Sequence, residues 1–522
     1  MQKLEMFDTT LRDGAQTEGI SFTVADKLKI AETLDTFGVR YIEAGNPGSN
    51  PKDMEFFRQS ADLKLKNARL VAFGSTKRKN IAVEEDANVI SLLEANTSSV
   101  AIFGKSWDLH ATEILNTTLE ENLNCVRETV RFFKAKGKEV IFDAEHFFDG
   151  YKNNPDYALL VLDAAADGGA DVLVLCDTNG GMLPLGIYDI VKTVCAKFPS
   201  MRVGIHCHND SGCAAANSIM AVEAGACHVQ GTFMGIGERC GNADLSVIIP
   251  SLQLKAGYTC ISGSLDKLVD TEIIISEIAN LSVQSNKPYV GESAFAHKGG
   301  MHIDGVDKLS RSFEHIDPAL VGNSRKFLLS EVSGKKAVLL KLKDIAPELT
   351  KDSPETTLIL ERLKELEHQG YQFEAADASF ELMVKKVIGT YRPHFELSMY
   401  RANSESPVSE GEMSSNAVIK IMVGDTAETT AAVGNGPVNA LDQALRKALV
   451  VFYPVLSSVH LIDYKVRVLE TRHATGSFVR VLIESTDGHH KWITVGVSSD
   501  IIEASFAALV DSLEYKLCME EK

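Results

Sequence analysis

The feature that most constrains the fold of this chain is a repeat of roughly thirty residues, in which a short apolar run precedes an amphipathic stretch. Eight such units occur between residue 5 and about residue 255, which predicts eight strand–helix units in series. The predicted strands are Met6–Asp8, Tyr41–Glu43, Leu70–Phe73, Val100–Phe103, Val140–Phe142, Val172–Leu175, Val203–His206 and His228–Gly231. Eight such units are typical of a closed TIM (β/α)8 barrel of the α/β class, and we expect that fold here.

Chemically active side chains follow the predicted strands. In six of the eight units the apolar run ends in such a residue or leads directly into one, namely Asp8 to Asp13, Glu43, Glu145, Asp177, His206 with His208, and Asn242. The carboxyl ends of barrel strands meet at one face, so we expect these side chains to surround a single basin. A polar residue at any one strand end can also serve a loop or a helix cap.

The turn after the first strand places an arginine between two acids, Asp8 and Asp13. A carboxylate at this position can bind a metal ion, and Arg12 can stabilise negative charge that develops on a substrate oxygen. An Arg–Asp pair that fastens a loop is the alternative interpretation, and the turn alone does not decide between them.

Two histidines, His206 and His208, lie two residues apart on the seventh strand and therefore project to the same side. Both imidazoles can then bind one ion, and Asp210 is close enough in sequence to orient one ring through its second nitrogen. A histidine buried only for packing is the alternative.

The glycine-rich run at 235–242 follows the eighth strand. It permits close approach of a ligand to the backbone, but its glycine spacing misses the dinucleotide-binding pattern, and it could also be a plain turn.

The strand–helix rhythm ends near residue 265. A helical stretch near Ile273–Leu281 and a charged helix around Leu358–His368 indicate linker subdomains, and from Ala417 the pattern is strand, strand, helix, repeated once. We therefore predict a barrel domain at 1–265, linker subdomains at 266–395 and a C-terminal α+β domain of ββα repeats at 396–522. A chain of 522 residues exceeds what one hydrophobic core usually organises.

Charge and cysteine usage exclude several classes of function. A formal net charge of −18 makes nucleic acid a poor partner. The nine cysteines are odd in number and form no Cys-x-x-Cys pair, which argues against a disulfide framework. No apolar run is long enough to span a bilayer, and the first residues lack the regions of a signal peptide. We expect a cytoplasmic protein that has no membrane partner.

Two signatures in this chain resemble those of the isopropylmalate, homocitrate and citramalate synthase family. The first is Leu-Arg-Asp-Gly-x-Gln at Leu11 to Gln16, followed after ten further residues by Lys27. The second begins at Val203 and continues through His206, His208, Asp210, Gly212, Ala214 and Ala216. The run from Gly434 to Asp442 resembles the C-terminal allosteric domain of the same family. The resemblance thus covers essentially the whole chain.

The resemblance implies a divalent metal ion (Mg, Mn, Zn or Co), acetyl-CoA as co-substrate, and a homodimer in which linker residues complete the active site of the partner subunit. The implied metal ligands are Asp13, His206, His208 and Asn242. The implied catalytic residues are Arg12, Glu145, His302 and Asp304, and the implied substrate-binding residues are Arg12 and Thr178. One departure is Arg325, at a linker position where isopropylmalate synthases carry a tyrosine, which leaves the acid–base assignment open.

The subfamily follows from two segments, Gly45–Asp53 and Asp143–Tyr151, that look most like the citramalate branch of the family. That branch implies an acyltransferase of the class that converts the acyl group into alkyl on transfer, with pyruvate as the oxo acid and isoleucine as the feedback effector. A 2-isopropylmalate synthase, with 2-oxoisovalerate as substrate and leucine as effector, is the first alternative. A lyase of the hydroxymethylglutaryl-CoA type and a non-catalytic amino-acid sensor are the others.

Overall fold

The computed structural model describes residues 2–328, 335–343, 345–406, 414–469 and 477–521. These residues form two compact units, one made of Met1–Phe295 with Glu314–Arg325 and the other of Ala296–Phe313 with Lys326–Lys522. Within the described residues, no helix combines the length and the apolar character needed to cross a bilayer.

The first unit contains a closed barrel of eight parallel strands in sequential order, with β8 paired to β1. The strands are β1 (Glu5–Asp8), β2 (Tyr41–Gly45), β3 (Arg69–Ser75), β4 (Ser99–Lys105), β5 (Glu139–Glu145), β6 (Val172–Asp177), β7 (Arg202–Cys207) and β8 (His228–Gly231). The predicted barrel and its eight strands are confirmed.

Ten helices connect or flank these strands in the described part of the first unit. They are α1 (Val24–Phe37), α2 (Pro51–Gln59), α3 (Ala87–Glu94), α4 (Leu119–Ala135), α5 (Phe147–Asn153), α6 (Pro155–Gly168), α7 (Pro184–Lys197), α8 (Ala214–Glu223), α9 (Leu245–Leu254) and α10 (Leu268–Ile278). The predicted helical stretch near Ile273 corresponds to α10, which packs against α1.

Alternation along the strands sorts side chains between the barrel interior and the surrounding helices. Residues of one parity, including Tyr41, Ile141 and Val174, form an apolar cluster inside the barrel. Residues of the other parity, such as Ile42 and Phe142, pack in the large core beneath the helices. The same inward parity continues to the carboxyl ends of the strands, where the side chains become polar.

An ion-pair network lies at the opposite, amino-terminal end of the barrel. Arg202 contacts Glu5 at 2.8 Å and Glu139 at 2.9 Å, and the hydroxyl of Tyr41 donates to Glu139 at 3.0 Å. His228 is fully buried, with Nδ1 3.5 Å from the Glu5 carboxylate. These contacts join several strands, so we assign this end of the barrel a role in stability.

The second unit begins with a parallel pair of short strands, β9 (Ala296–His297) and β10 (Lys326–Phe327). Its other elements are α11 (Gly300–Lys308), α12 (Lys335–Leu342), α13 (Pro354–His368), α14 (Asp377–Ile388), β11 (Glu396–Ser404), β12 (Ser415–Val423), β13 (Thr426–Gly434), α15 (Pro437–Leu449), β14 (His460–Val468), β15 (Val479–Thr486), β16 (Lys491–Ser498) and α16 (Ile501–Glu520). The predicted charged helix is α13.

Two antiparallel sheets, β11-β12-β13 and β14-β15-β16, are each followed by a helix, and both halves contribute to one core. Each half therefore has one strand more than the predicted ββα pattern, because β11 and β14 were not predicted. Both are edge strands with mostly exposed side chains, so they lack the alternation of buried and exposed residues by which strands are recognised.

Candidate active site

A cavity of about 310 Å³ opens at the carboxyl ends of the barrel strands. Its lining consists of Arg12, Asp13, Gln16, Asn46, Phe73, Phe103, Asp143, Glu145, Cys176, Thr178, His206, His208 and Glu238. Six of the residues predicted from the sequence are among them: Arg12, Asp13, Glu145, Thr178, His206 and His208. This cavity is called the basin below.

Asp13, His206 and His208 form a compact set of metal-ligand atoms within 4.8 Å of one another. Nε2 of His206 lies 3.6 Å from Asp13 Oδ2, and Nε2 of His208 lies 3.8 Å from the same oxygen. Oδ1 of Asp13 and Oδ1 of Asn242 are buried acceptors that receive no hydrogen bond from the described residues. Two imidazole nitrogens and two such oxygens are a donor set that suits one divalent ion, and the ligand atoms of Asp13, His206 and His208 are close enough to share it, so these residues fit the implied metal.

The protonation states of these side chains suit metal binding. Burial, together with the neighbouring His208, lowers the pKa of His206 to about 3, and burial also lowers the pKa of His208. Burial raises the pKa of Asp13, but the charges of Arg12 and the two histidines outweigh it and lower that pKa to about 2. At neutral pH the set therefore consists of two neutral imidazoles and one carboxylate, which are the forms that bind metal.

The glycine-rich loop fixes Asn242 beside this set. Gly237 has φ +159°, and a Cβ atom there would lie 2.1 Å from the Asn242 amide nitrogen. Gly241 has φ +86°, and its Cβ would lie 2.0 Å from the carbonyl oxygen of Gly235. Asn242 also forms an isolated antiparallel bridge with His208, which brings the two side chains to the same region. The loop is thus an ordered support for Asn242 and not a plain turn.

The prediction that Asp210 orients a histidine ring is wrong. Asp210 instead forms a two-point ion pair with Arg239, at 2.8 and 2.9 Å, and Nδ1 of His208 has no hydrogen-bond partner among the described residues. Gln230 orients the other ring, because its Oε1 lies 3.0 Å from Nδ1 of His206. Sequence reasoning missed Gln230, although its position on the eighth strand was predicted.

Arg12 is held rigidly at the wall of the basin. Its Nε donates to Glu43 at 2.6 Å, its Nη1 donates to Asp13 at 3.1 Å, and its guanidinium lies 3.8 Å from the centre of the Phe73 ring. Thr9 donates to the same Glu43 oxygen at 2.5 Å. Burial lowers the pKa of Arg12, but the charges of Glu43 and Asp13 outweigh it and raise that pKa, so the guanidinium stays charged.

Thr178 and Glu145 occupy another part of the basin. The backbone N–H of His146 donates to Thr178 Oγ1 at 2.9 Å, which leaves the hydroxyl proton of Thr178 available for an acceptor. Glu145 forms an ion pair with Lys105, a residue that sequence reasoning did not select. Phe73 and Phe103 were also missed, and their rings stack with centroids 5.1 Å apart to form an aromatic wall.

Lys27, the last residue of the first signature, has a structural role in the loop after the second strand. Its side chain is buried, donates to the carbonyl oxygen of Ala44 at 2.9 Å and forms an ion pair with Asp53. Asp53 in turn accepts from the backbone N–H of Asn46 at 2.9 Å. Lys27 therefore fixes the loop that presents Asn46 to the basin.

A second cavity, of about 390 Å³, adjoins the basin and shares Phe103 with it. Its lining is Ser75, Thr76, Lys77, Arg78, Lys79, Ile81, Phe103, Gly104, Lys105, Leu115, Thr117, Asn122 and Cys125. Four of these side chains are cationic. Lys105 connects the two cavities, because it lines this one and pairs with Glu145 in the basin.

His302 and Asp304 lie on α11 in the second unit, so their contribution to the basin stays a prediction. His302 is exposed and stacks on Phe313 with ring centroids 4.3 Å apart, while Asp304 contacts Lys308 at 2.6 Å. Arg325 lies in the first unit and forms a two-point ion pair with Glu314, at 2.6 and 2.5 Å. Arg325 therefore has a local partner in Glu314.

Three family models match successive parts of the chain. The HMGL-like model matches residues 3–282, the homocitrate synthase post-HMGL domain-like model matches 289–371, and the LeuA allosteric (dimerisation) domain model matches 374–517. Curated relatives align over the whole chain. The (R)-citramalate synthase of Aquifex aeolicus is 53% identical, covering 100% of this chain and 99% of that protein. The (R)-citramalate synthase of Geobacter sulfurreducens is 49% identical, with the same coverage.

A 2-isopropylmalate synthase from Methanocaldococcus jannaschii is more distant, at 31% identity over 100% of this chain and 96% of that protein. The full-length alignments, the three family models in their order and the basin at the carboxyl ends of the strands all agree. The chain belongs to the isopropylmalate, homocitrate and citramalate synthase family.

Proposed function

We propose that this protein condenses acetyl-CoA with pyruvate and hydrolyses the thioester, releasing (R)-citramalate and CoA as a step towards isoleucine. The observation that carries the proposal is the buried set of Asp13, His206 and His208 beside the charged Arg12 in a small basin. The full-length relatives at 53% and 49% identity, both (R)-citramalate synthases, favour this reaction over that of the 2-isopropylmalate synthase at 31%.

Asp13, His206, His208 and Asn242 would hold the divalent ion. Their oxygen and nitrogen donors suit Mg, Mn, Zn or Co alike. When bound, the ion supplies Lewis acidity to the carbonyl of a 2-oxo acid.

The basin residues have separate roles towards the oxo acid. The hydroxyl group of Thr178 donates a hydrogen bond to the carboxylate. Arg12 stabilises the negative charge that develops on the carbonyl oxygen while the new carbon–carbon bond forms. The stacked rings of Phe73 and Phe103 limit the space for the oxo-acid side chain, which favours the methyl group of pyruvate over the branched group of 2-oxoisovalerate.

Acetyl-CoA would occupy the cationic cavity beside the basin. The side chains of Arg78 and Lys79 supply positive charge for the phosphates of CoA, whereas Lys77 is already paired with Glu128 at 3.1 Å. The shared Phe103 marks the passage by which the acetyl group reaches the basin. Lys105 would release Glu145 when an anionic ligand competes for its ammonium group, so Glu145 becomes available to the substrate.

A general base must remove a proton from the acetyl methyl group before its carbon attacks the oxo carbon. We assign this step to His302 of a partner subunit, with Asp304 supporting it and Glu145 assisting from the basin. Water then attacks the thioester carbonyl, and the carbon–sulfur bond breaks to release CoA as its thiol. The product is a dicarboxylic acid with a tertiary hydroxyl group.

The C-terminal half of the second unit is the expected site of dimerisation and of feedback by isoleucine. It matches the LeuA allosteric (dimerisation) domain, and its edge strands expose apolar side chains such as Met399 and Val468, which are 42% and 51% exposed. Exposed apolar side chains on sheet edges are suited to burial against a second copy of the chain. The nine cysteines are free thiols, as is usual in the cytoplasm, where we place the enzyme.

The test is thiol release from acetyl-CoA by metal-loaded protein, with pyruvate, 2-oxobutyrate, 2-oxoisovalerate and 2-oxoglutarate offered separately. We expect the highest kcat/KM with pyruvate and inhibition by isoleucine. A preference for 2-oxoisovalerate with inhibition by leucine would instead establish a 2-isopropylmalate synthase. Thiol release with none of the four would contradict the proposed reaction and favour the sensor or the lyase.

A further inference from the structure

Three buried side chains from three strands form a hydrogen-bonded chain that ends at the metal-ligand set. The Nε2 of Gln230 on β8 donates to Oδ1 of Asp143 on β5 at 2.9 Å. The Oε1 of Gln230 lies 3.0 Å from Nδ1 of His206 on β7. Gln230 is fully buried, and Asp143 and His206 are 4% and 5% exposed. The proposed function uses neither Gln230 nor Asp143.

The order of donors and acceptors along this chain determines the state of His206. A side-chain amide can turn either end towards a neighbour, but the ionised carboxylate of Asp143 can only accept and therefore takes the amino end of Gln230. The carbonyl end of Gln230 must then face His206, which requires a proton on Nδ1. The lone pair of His206 is consequently on Nε2, the nitrogen 3.6 Å from Asp13.

We infer that Gln230, oriented by Asp143, is a positioning residue that fixes His206 in the tautomer able to bind the metal ion. This inference rests on the metal site of the proposed function and assigns a role to two residues outside its ligand set. His208 has no equivalent support among the described residues, because its Nδ1 lacks a hydrogen-bond partner. The two imidazoles are therefore held differently, and of the two only His206 loses a hydrogen-bond partner when Gln230 is replaced.

The test measures binding of Mn²⁺ to metal-free protein, with the free ion followed by electron paramagnetic resonance. Burial raises the pKa of Asp143 to about 8, so the measurement is made above that pH, where the carboxylate is ionised. Replacing an outer residue that supports a metal-bound histidine typically weakens binding about 10–100-fold, and we expect that loss for Gln230→Leu. Asp143→Asn should also weaken binding, because an amide at 143 accepts or donates equally well and no longer selects the orientation of Gln230. Gln230→Glu alone should also weaken Mn²⁺ binding, because it places a second carboxyl group directly beside that of Asp143.

The double variant Asp143→Asn with Gln230→Glu reverses the polarity of the contact and keeps its shape. The introduced amide at position 143 donates to one oxygen of the introduced carboxylate at position 230, and the other oxygen of that carboxylate accepts from Nδ1 of His206. We expect this double variant to recover Mn²⁺ affinity to within about threefold of the wild type, a coupling that two independent packing defects would not produce. All four polar combinations have nearly the same volume, so they remain readable even if Gln230→Leu fails to fold.

Gln253→Leu is the matched control. Gln253 lies on α9 and accepts from the backbone N–H groups of Cys260 and Ile261 at 3.1 and 3.2 Å, away from the basin. It should lower thermal stability and leave Mn²⁺ affinity unchanged. Wild-type affinity in Gln230→Leu, or a double variant no better than either single variant, would overturn the inference while leaving the proposed reaction intact. A wild-type protein that binds no Mn²⁺ would overturn both the proposed metal site and this inference.

Discussion

Replacement of Arg12 by glutamine should remove two separable contributions, one to folding and one to catalysis. The guanidinium of Arg12 is the cationic partner of Glu43, which is fully buried. Breaking a buried ion pair on one side costs about 3–5 kcal/mol, because the remaining charge is left uncompensated. Burial already raises the pKa of Glu43, so that carboxylate should take up a proton when Arg12 is removed. The loss of folding free energy should therefore lie near the lower end of that range, at about 3 kcal/mol.

The catalytic contribution is of similar size but appears only in turnover. Removing one preorganised group that stabilises charge in a transition state lowers kcat by about 10²–10³-fold, which corresponds to about 2.7–4 kcal/mol. Arg12 is preorganised in this sense, because Glu43, Asp13 and the Phe73 ring fix its position before substrate arrives. Arg12→Gln should therefore reduce thiol release by that factor with pyruvate saturating.

The double variant Arg12→Gln with Glu43→Gln separates the two effects. It leaves no unpaired carboxylate, so the melting temperature of the barrel should recover most of the roughly 5 °C that the single variant loses. Turnover should stay low, since no cation returns to the basin. Calorimetry and thiol release on the same preparations, with Mn²⁺ affinity measured as a control, provide the comparison. Recovery of kcat in the double variant would refute a direct electrostatic role of Arg12 and indicate that it acts through packing.

Three further predictions concern other parts of the molecule. Phe103→Ala removes half of the aromatic wall and should raise kcat/KM for 2-oxobutyrate relative to pyruvate about tenfold, and an unchanged ratio would exclude this wall as the limit on substrate size. Burial raises the pKa of Glu139, but hydrogen bonds from Arg202, Ser99 and Tyr41 outweigh it and lower that pKa to about 2. Ionised Glu139 therefore stabilises the fold above about pH 4.5, and this stabilisation is lost as the pH falls towards 2. The melting temperature of Glu139→Gln should therefore approach that of the wild type as the pH is lowered from about 6 to about 3, and a constant difference would contradict the ion-pair explanation. Inactive His302→Ala and Arg12→Gln proteins can be mixed, dissociated and reassociated. If each site combines two subunits of a homodimer, the mixture should recover about a quarter of wild-type activity. An active monomer in light scattering would exclude the shared site.

The sequence predicted the barrel and about half of the residues that line the basin, because both depend on local patterns. Strand length, the thirty-residue period and the position of acids and histidines at strand ends can all be read without knowing which strands are neighbours. Those patterns predicted that Arg12, Asp13, His206 and His208 face one basin, and all four line the cavity, because each lies at or shortly after the end of a strand and the barrel brings strand ends together.

What the sequence did not predict depends on contacts across the barrel. Asp143 and Gln230 are 87 residues apart, and they meet only because β5 and β8 both direct these positions inwards at the same height. Asp210 forms an ion pair with Arg239, which lies in a loop 29 residues further along the chain. No rule of sequence spacing would indicate that pair. Alternation shows which face a residue lies on, but the partner on that face follows from strand register and barrel closure.

The charges of the basin explain why its ligand set and its supporting residues form one system. Asp13, Glu43 and Asp143 lie inside the barrel within the influence of a single buried guanidinium, that of Arg12. Three buried carboxylates cannot all be ionised against one cation at low cost. Burial, followed by the charge of Glu43, accordingly raises the pKa of Asp143 to about 8, and burial raises the pKa of Glu43 as well. Among the three, Asp13, which lies beside the histidines, is the one whose pKa is lowered. The interior thus concentrates its negative charge at Asp13, where the Nε2 atoms of both histidines converge. A divalent cation bound there would offset the carboxylate charge that Arg12 alone cannot offset.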